Sequence, residues 1–406
     1  MRARISQATH MSMQTYRYSL TPFNSFEFEQ NVRNTARSVY PQYPTRRQNE
    51  GEFSLWVVQT DMKILRQVAG IDVAQKELVV SVGRFKEDLT KEIYGFKVFA
   101  NTPKGFQELV EWSKKKMSSE VSVRFVMEAT GVYHESLAYY LAEQGQLVSI
   151  VMPAKISNYQ KTLEIKTITD KTASECITLF GLDRQLDTWQ KPKRLYRNLR
   201  HVTRERDQLI EERTVLKNQL HAEQSEAFPD KKSIARVQER INLINKQEKE
   251  IMEEIRDYIK EDEQISKLVT LIGSVPGIGL LTATIILSET NGFDLIRNKK
   301  QLTSYAGLDV KEKQSGTSVK GKPKISKKGN RYLRKAMHFP ALTAIRNDER
   351  FKAIYARLVQ KHGIKMKAAV AVQRKLLEMT YTMYKTNKPY DKQYLKQTQN
   401  EDGTTA

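Results

Sequence analysis

The chain has a single cysteine, Cys176, among 406 residues. An internal disulfide is therefore excluded, and a thiolate zinc site lacks its ligands. Histidine is also scarce, with six scattered copies. No uninterrupted apolar run is long enough to cross a bilayer. The first residues, MRARISQATHMSMQTYRYSL, carry positive charge but no apolar core, so they do not read as a secretory signal. These absences point to a cytoplasmic, reducing location and to no membrane partner. Negative charge is in deficit as well: 47 Asp and Glu stand against 68 Lys and Arg, a net charge of +21. A surface that basic favours a polyanion, most often nucleic acid, although charge alone fits a merely soluble basic protein equally well. The hydrophobic content of 39% is enough for real cores, and the length allows about two or three domains.

Residues 1–62 show no sustained period and read as an irregular extension. From Ile64 the pattern turns β-branched. ILRQVAGIDV, ELVVSVGRF and KEIYGFKVFAN read as three strands. A helix over PKGFQELVEWSKKKM, a strand VSVRFVMEA, a helix GVYHESLAYYLAEQG and a strand QLVSIVMP follow. That order predicts an α/β unit with a mixed sheet, and it matches the ribonuclease H-like fold, in which acids at strand ends gather at one edge. Farther on, Ile234, Val237, Ile241, Ile244, Ile251, Ile255 and Tyr258 step by three and four, with Glu248 in the one apolar slot missed. This is a heptad seam. Leu195, Leu199, Val202, Leu209, Leu216 and Leu220 give a weaker one upstream, and FPD at 228–230 separates the two. A helical hairpin is expected, its arms packed together or dimerised. From Ile265 the chain reads as helical. Gly277 and Gly279 of SVPGIG precede an apolar helix, like a helix-hairpin-helix turn whose amides can meet a phosphate. The tail from Lys392 is polar.

Against the acid deficit, three acids stand out by their settings: Asp72 in AGIDVA, Glu128 in FVMEATG and Asp170 in TITDKTAS. A carboxylate among apolar neighbours is costly unless compensated. A divalent cation does this simply, and oxygen donors at strand ends suit Mg²⁺. Such sites commonly serve phosphate chemistry. Asp170 taken alone fits a helix N-cap better; the three together favour a metal site. The second pattern lies between Lys311 and Lys335, in KEKQSGTSVKGKPKISKKGNRYLRK. Its cations are Lys311, Lys313, Lys320, Lys322, Lys324, Lys327, Lys328, Arg331, Arg334 and Lys335. Interleaved glycines and serines fit phosphate contacts, where a bare charge run is more often a solvated face. A serine among Ser315, Gly316, Thr317 and Ser318 could serve as a nucleophile activated by nearby positive charge, but most serines in such loops form turns.

With these motifs in order, the chain resembles the insertion-sequence transposases that join a RuvC-like "DEDD" domain to a C-terminal serine-bearing transposase domain. GIDVAQKEL, MEATGVY and TDKTAS resemble its acidic motifs, and SVPGIG, TSYAGL, SGTSVKG and ISKKGNRYLRKA its C-terminal part. The resemblance runs from about Ile64 to Asp391. It implies a ribonuclease H-like sheet (63–192), a coiled-coil hairpin (193–262), a mostly helical transposase domain with the serine loop (263–391) and a short tail (392–406). It also implies Asp72, Glu128 and Asp170 as catalytic Mg²⁺ ligands and Ser315 as the nucleophile that becomes joined to a 5′-phosphate. Donor and target DNA, a structured guide RNA and a homo-oligomer, dimer or tetramer, are the implied partners. The family's fourth acid falls three residues after the third, where this chain has Ala173; Glu175 is the nearest substitute. A RuvC-like junction nuclease and a catalytically impaired nucleic-acid-binding protein are the competing expectations.

Overall fold

The computed structural model describes residues 62–392, apart from 164, 166, 168, 313, 316–318 and 322, and no side chains at 314, 315, 319 and 320. Apart from Met62 and Lys392, the expected N-terminal extension and tail lie outside the described residues.

The five strands form where the β-branched runs predict them: β1 Ile64–Val73, β2 Glu77–Lys86, β3 Lys91–Ala100, β4 Val123–Glu128 and β5 Leu147–Val151. Their order in the sheet is β3-β2-β1-β4-β5. β2 pairs antiparallel with β1 and β3, while β4 pairs parallel with β1 and β5. Only β2 therefore opposes the rest, consistent with the ribonuclease H-like expectation. Alternation along β1 divides its side chains between two cores. Ala69, Ile71 and Val73 join Leu109 of α1 (Pro103–Lys116) and Leu137 of α2 (Glu135–Glu143). Val68 joins Val126 of β4 with Ile177 and Phe180 of α4 (Asp170–Asp183) on the other face.

Two local expectations shift. The helix read from Gly131 begins only at Glu135, because Gly131 is left-handed (φ 58°) and residues 131–134 turn. Pro153, read as a strand stop, also opens α3 (Pro153–Gln160) as its first residue, where its missing N–H costs nothing.

The hairpin arms are α5 (Arg194–Gln224) and α6 (Lys231–Glu261), 31 residues each, or about 46 Å at 1.5 Å per residue. Val237, Ile241, Ile244, Ile251 and Ile255 are buried. The Glu248 gap is filled from the other arm: Arg206 Nη2 donates to its Oε1 at 2.5 Å, and Arg213 Nη1 donates to its Oε2. Arg206 and Arg213 occupy the two slots missing from the weaker upstream seam. The arms pack within one chain, and Phe228 at the turn is 93% exposed.

The root of α5 ties into both halves. Arg197 pairs with Glu135 of α2. Arg204 Nε and Nη2 donate to Glu289 at 2.7 and 2.8 Å; Glu289 lies on α8 (Leu280–Thr290) with its side chain 1% exposed. The remaining helices are α7 (Glu263–Gly273), α9 (Lys299–Tyr305), α10 (Arg331–Ala336), α11 (His338–Asn347), α12 (Glu349–His362) and α13 (Lys365–Thr386). They enclose a core with Ile272, Ile286, Leu302, Leu333, Phe351 and Leu376. The PGIG turn joins α7 to α8. Gly277 there has φ 83°, and a Cβ on it would press into Pro340 of α11.

Candidate active site

Asp72, the last residue but one of β1, and Glu128, the last of β4, lie at the ends of neighbouring parallel strands. Ile71 pairs with Met127 in the register, so the next residues, Asp72 and Glu128, reach the same level at the carboxyl edge, on the face that carries α4. Asp170 is the first residue of that helix. What brings it there is close helix–sheet packing. Gly70, two residues before Asp72 and on the same face, meets Ser174 and Thr178. Ser81 Oγ and Ser174 Oγ are 2.7 Å apart, and Thr178 Oγ1 donates to the Ser81 carbonyl at 3.0 Å. From Ser174 one turn of helix, about 6 Å, leads back to Asp170.

The electrostatics report the meeting. The Asp72 carboxyl titrates above its ordinary 3.8, first because it is partly buried and then because Asp170 and Glu128 are negative; the Val73 amide opposes the shift. Burial, with the Glu128 charge beside it, pushes the Cys176 thiol up to about 11. Glu128 accepts a hydrogen bond from Thr130 Oγ1 at 2.9 Å. Among the described residues no ion pair reaches any of the three acids. An all-carboxylate set that no ion pair neutralises among the described residues fits a hard divalent ion by donor chemistry. As placed, however, no three His, Cys, Asp or Glu among the described residues gather tightly enough to hold a metal.

The capping alternative for Asp170 falls away. Thr169 is the N-cap, its hydroxyl accepting from the Thr172 amide at 3.2 Å. Glu175, the nearest substitute for the fourth acid, lies on another flank of α4. It pairs with Lys171 at 3.9 Å, and Lys171 lies over Phe96 of β3. That flank of α4 faces the sheet edge beyond β2, away from Glu128. Ala173 stays where the fourth acid is expected.

The basic stretch folds as a ladder. β6 (Val310–Lys311) pairs with β9 (Lys324–Ile325), and inside them β7 (Gln314–Ser315) pairs with β8 (Val319–Lys320), Ser315 opposite Val319. Ser315 thus sits on the inner of the two strand pairs. The expected residues Lys313 and Lys322 lie outside the described residues, as does the side chain of Lys320. Lys311, Lys324, Lys327, Lys328 and Arg331 are exposed. Arg334 and Lys335 are engaged within the protein: Arg334 Nη1 donates to the Ala306 carbonyl at 2.8 Å, and Lys335 pairs with Asp207 and Glu211. No described contact joins the hairpin to the three acids.

One structural anchor near the serine hairpin escaped sequence reasoning. Asn330 Nδ2 donates to Glu289 at 2.6 Å while its Oδ1 caps α10. The Ser326 amide donates to the Asp309 carbonyl at 2.8 Å. Glu289, Asn330 and this clasp hold the foot of the serine hairpin. The available signal was an acid inside the apolar run LLTATIILSET.

Comparisons with known proteins now apply. Residues 69–229 match the family model for a DEDD transposase of the IS110 type, and residues 269–356 match that of the transposase IS116/IS110/IS902 family. Pilin gene-inverting proteins of Moraxella bovis and Moraxella lacunata are each 29% identical over 300 residues, covering 72% of this chain and 90% of theirs. A 43.6 kDa insertion element IS110 protein of Streptomyces coelicolor is 27% identical over 124 residues, 30% of either chain. A solved structure of T. thermophilus RuvC in complex with a Holliday junction substrate is 12% identical, covers 29% of this chain and 97% of its own, and has a TM-score of 0.23; the strand order, not this likeness, defines the fold.

Proposed function

We propose that this chain, which is similar over residues 69–229 and 269–356 to transposases of the IS110 family, cuts and rejoins DNA at a composite centre of Asp72, Glu128, Asp170 and Ser315. The observation that supports the reading is that the strand register and the packing of α4 bring Asp72, Glu128 and Asp170 to one sheet edge, where the charges of Asp170 and Glu128 help raise the Asp72 carboxyl. Asp72, Glu128 and Asp170 would hold Mg²⁺, which when bound stabilises charge developing on a phosphodiester. Ser315 is the nucleophile. Its oxygen bonds to phosphorus as the bond to the 3′ oxygen breaks; the serine proton passes to solvent or a base, and the departing 3′ oxygen takes one up. The DNA end stays on the protein through its 5′-phosphate until a new 3′ hydroxyl reverses the step. Exposed Lys311, Lys324, Lys327, Lys328 and Arg331 supply contacts to the backbone. DNA inversion, the act for which the Moraxella relatives are named, is an exchange of this kind. Donor and target DNA selected by a structured RNA, and several copies of the chain meeting through the hairpin, complete the proposal. The working units are 63–192, 193–262 and 263–391.

The test incubates the protein with its element ends, flanking RNA and Mg²⁺ and looks for a protein–DNA adduct on a denaturing gel. Wild type gives the adduct, Ser315→Ala gives none, and Asp72→Asn gives little. Cutting that survives Ser315→Ala sinks the serine role and leaves a junction nuclease. Ala173 favours one other reading, a chain that binds nucleic acid without cutting it. Salt-sensitive binding by wild type with no cleavage would support that reading.

A further inference from the structure

The register carries the level of Asp72 across the sheet: Asp72 pairs with Val79, and Val79 with Val98. Ser81, which meets α4, pairs with Phe96. Phe96 and Val98 of β3 therefore share the face of the acids. Val79 is buried there, yet Phe96 and Val98 are 43% and 44% exposed. Beyond the cover of α4 lies an open apolar ledge on the edge strand. Lys171, the residue after Asp170, holds its Nζ 5.4 Å from the centre of the Phe96 ring. Two strand spacings, about 10 Å, separate Val98 from Asp72.

An aromatic face offers stacking to a base, and a lysine is a compact charge for a phosphate. Both stand beside carboxylates read as acting on a phosphodiester. We infer that this ledge holds an unpaired DNA nucleotide flanking the scissile phosphate. The inference rests on that reading of the acids. Single-stranded DNA is the occupant because only an unpaired, unstacked base presents its π face to the ring. The competing occupant is an edge-pairing strand of a second copy.

The full-length protein is titrated with a short unstructured single-stranded DNA and with its duplex, followed by fluorescence anisotropy. Phe96→Ala and Phe96→Leu weaken the single strand by about 5- to 150-fold and leave the duplex unchanged. Phe96→Trp retains affinity. Lys171→Gln flattens the salt dependence by about 0.7 in log–log slope. Equal single-strand affinity in Phe96→Leu, with an unchanged melting temperature, overturns the inference. So does a change of sedimentation in Phe96→Ala with DNA affinity intact, which would assign the ledge to a protein strand. Asp72→Asn separates the two levels: it retains single-strand binding, and if it still cuts DNA the acid reading fails by itself.

Discussion

Gly70→Ala tests how the acids are brought together. An ideal Cβ on Gly70 lies 2.7 Å from the Ser174 carbonyl oxygen and nearer still to the amide and hydroxyl of Thr178, whereas ordinary contact begins at 3.4 Å. Two of the three obstacles are helix backbone, so no rotamer change relieves the clash. α4 must retreat by about 1 Å, stretching the Ser81–Ser174 and Thr178–Ser81 hydrogen bonds. Overpacking of this kind costs about 1–3 kcal/mol, and each weakened hydrogen bond about 1 kcal/mol more. The melting temperature should fall by roughly 2–4 °C per kcal/mol for a unit of this size. Asp170 moves with the helix, and a 1 Å misplacement at a reacting centre costs on the order of 100-fold in rate. The assay pairs thermal melting with adduct formation measured where both proteins are folded. Gly145→Ala is the control. It has nothing within 4 Å of the added carbon, only the strain of φ 68°, so its stability drops slightly and its rate holds. Gly70→Ala cutting within about twofold of wild type would refute the packing argument.

Asp72 predicts a pH signature. Its folded pKa is raised, so the stability it contributes is present below the unfolded value and lost as pH rises through the folded one. Without metal, Asp72→Asn should melt above wild type at neutral pH, with the gap closing in acid, and Mg²⁺ should raise the melting point of wild type alone. Glu289→Ala, which leaves Arg204 and Asn330 without their partner, should cost about 3 kcal/mol by urea denaturation; this is the low end for a buried pair because Arg204 is 41% exposed. Glu248→Ala should destabilise by a similar amount of about 3 kcal/mol, whereas replacing Arg206, Glu248 and Arg213 together by Met and Leu should be neutral or stabilising in thermal melts. A triple variant that melts far below wild type would show that the layer does more than fill its slot.

What the sequence made legible was periodic or local. The β-branched runs fixed the strands, and the position of an acid at the end of each run placed Asp72 and Glu128 at one edge. The heptad steps placed the seam and exposed its gap at Glu248. The partners of that gap were hidden, because arginine does not register as apolar even on a seam position. Glu289 was missed for a different reason: Arg204 lies 85 residues away and Asn330 lies 41 away, and nothing local marks a long-range pair. The serine hairpin was read as a loop because its rungs are two residues long, too short for alternation to show. Arg334 and Lys335 also meet partners within the protein, which charge in a string cannot show.

The Arg206–Glu248–Arg213 layer also has a mechanical meaning. Sliding one arm past the other by a turn would set Glu248 against leucine, so the two helices are indexed like a keyed shaft. The tip that carries Phe228 is then fixed in rotation with respect to the root of α5. That root is bolted to α2 through Arg197 and Glu135, and to α8 through Arg204 and Glu289. The hairpin's root therefore meets, through one arm, both the helix packed on the far face of the acid-bearing sheet and the helix that carries Glu289.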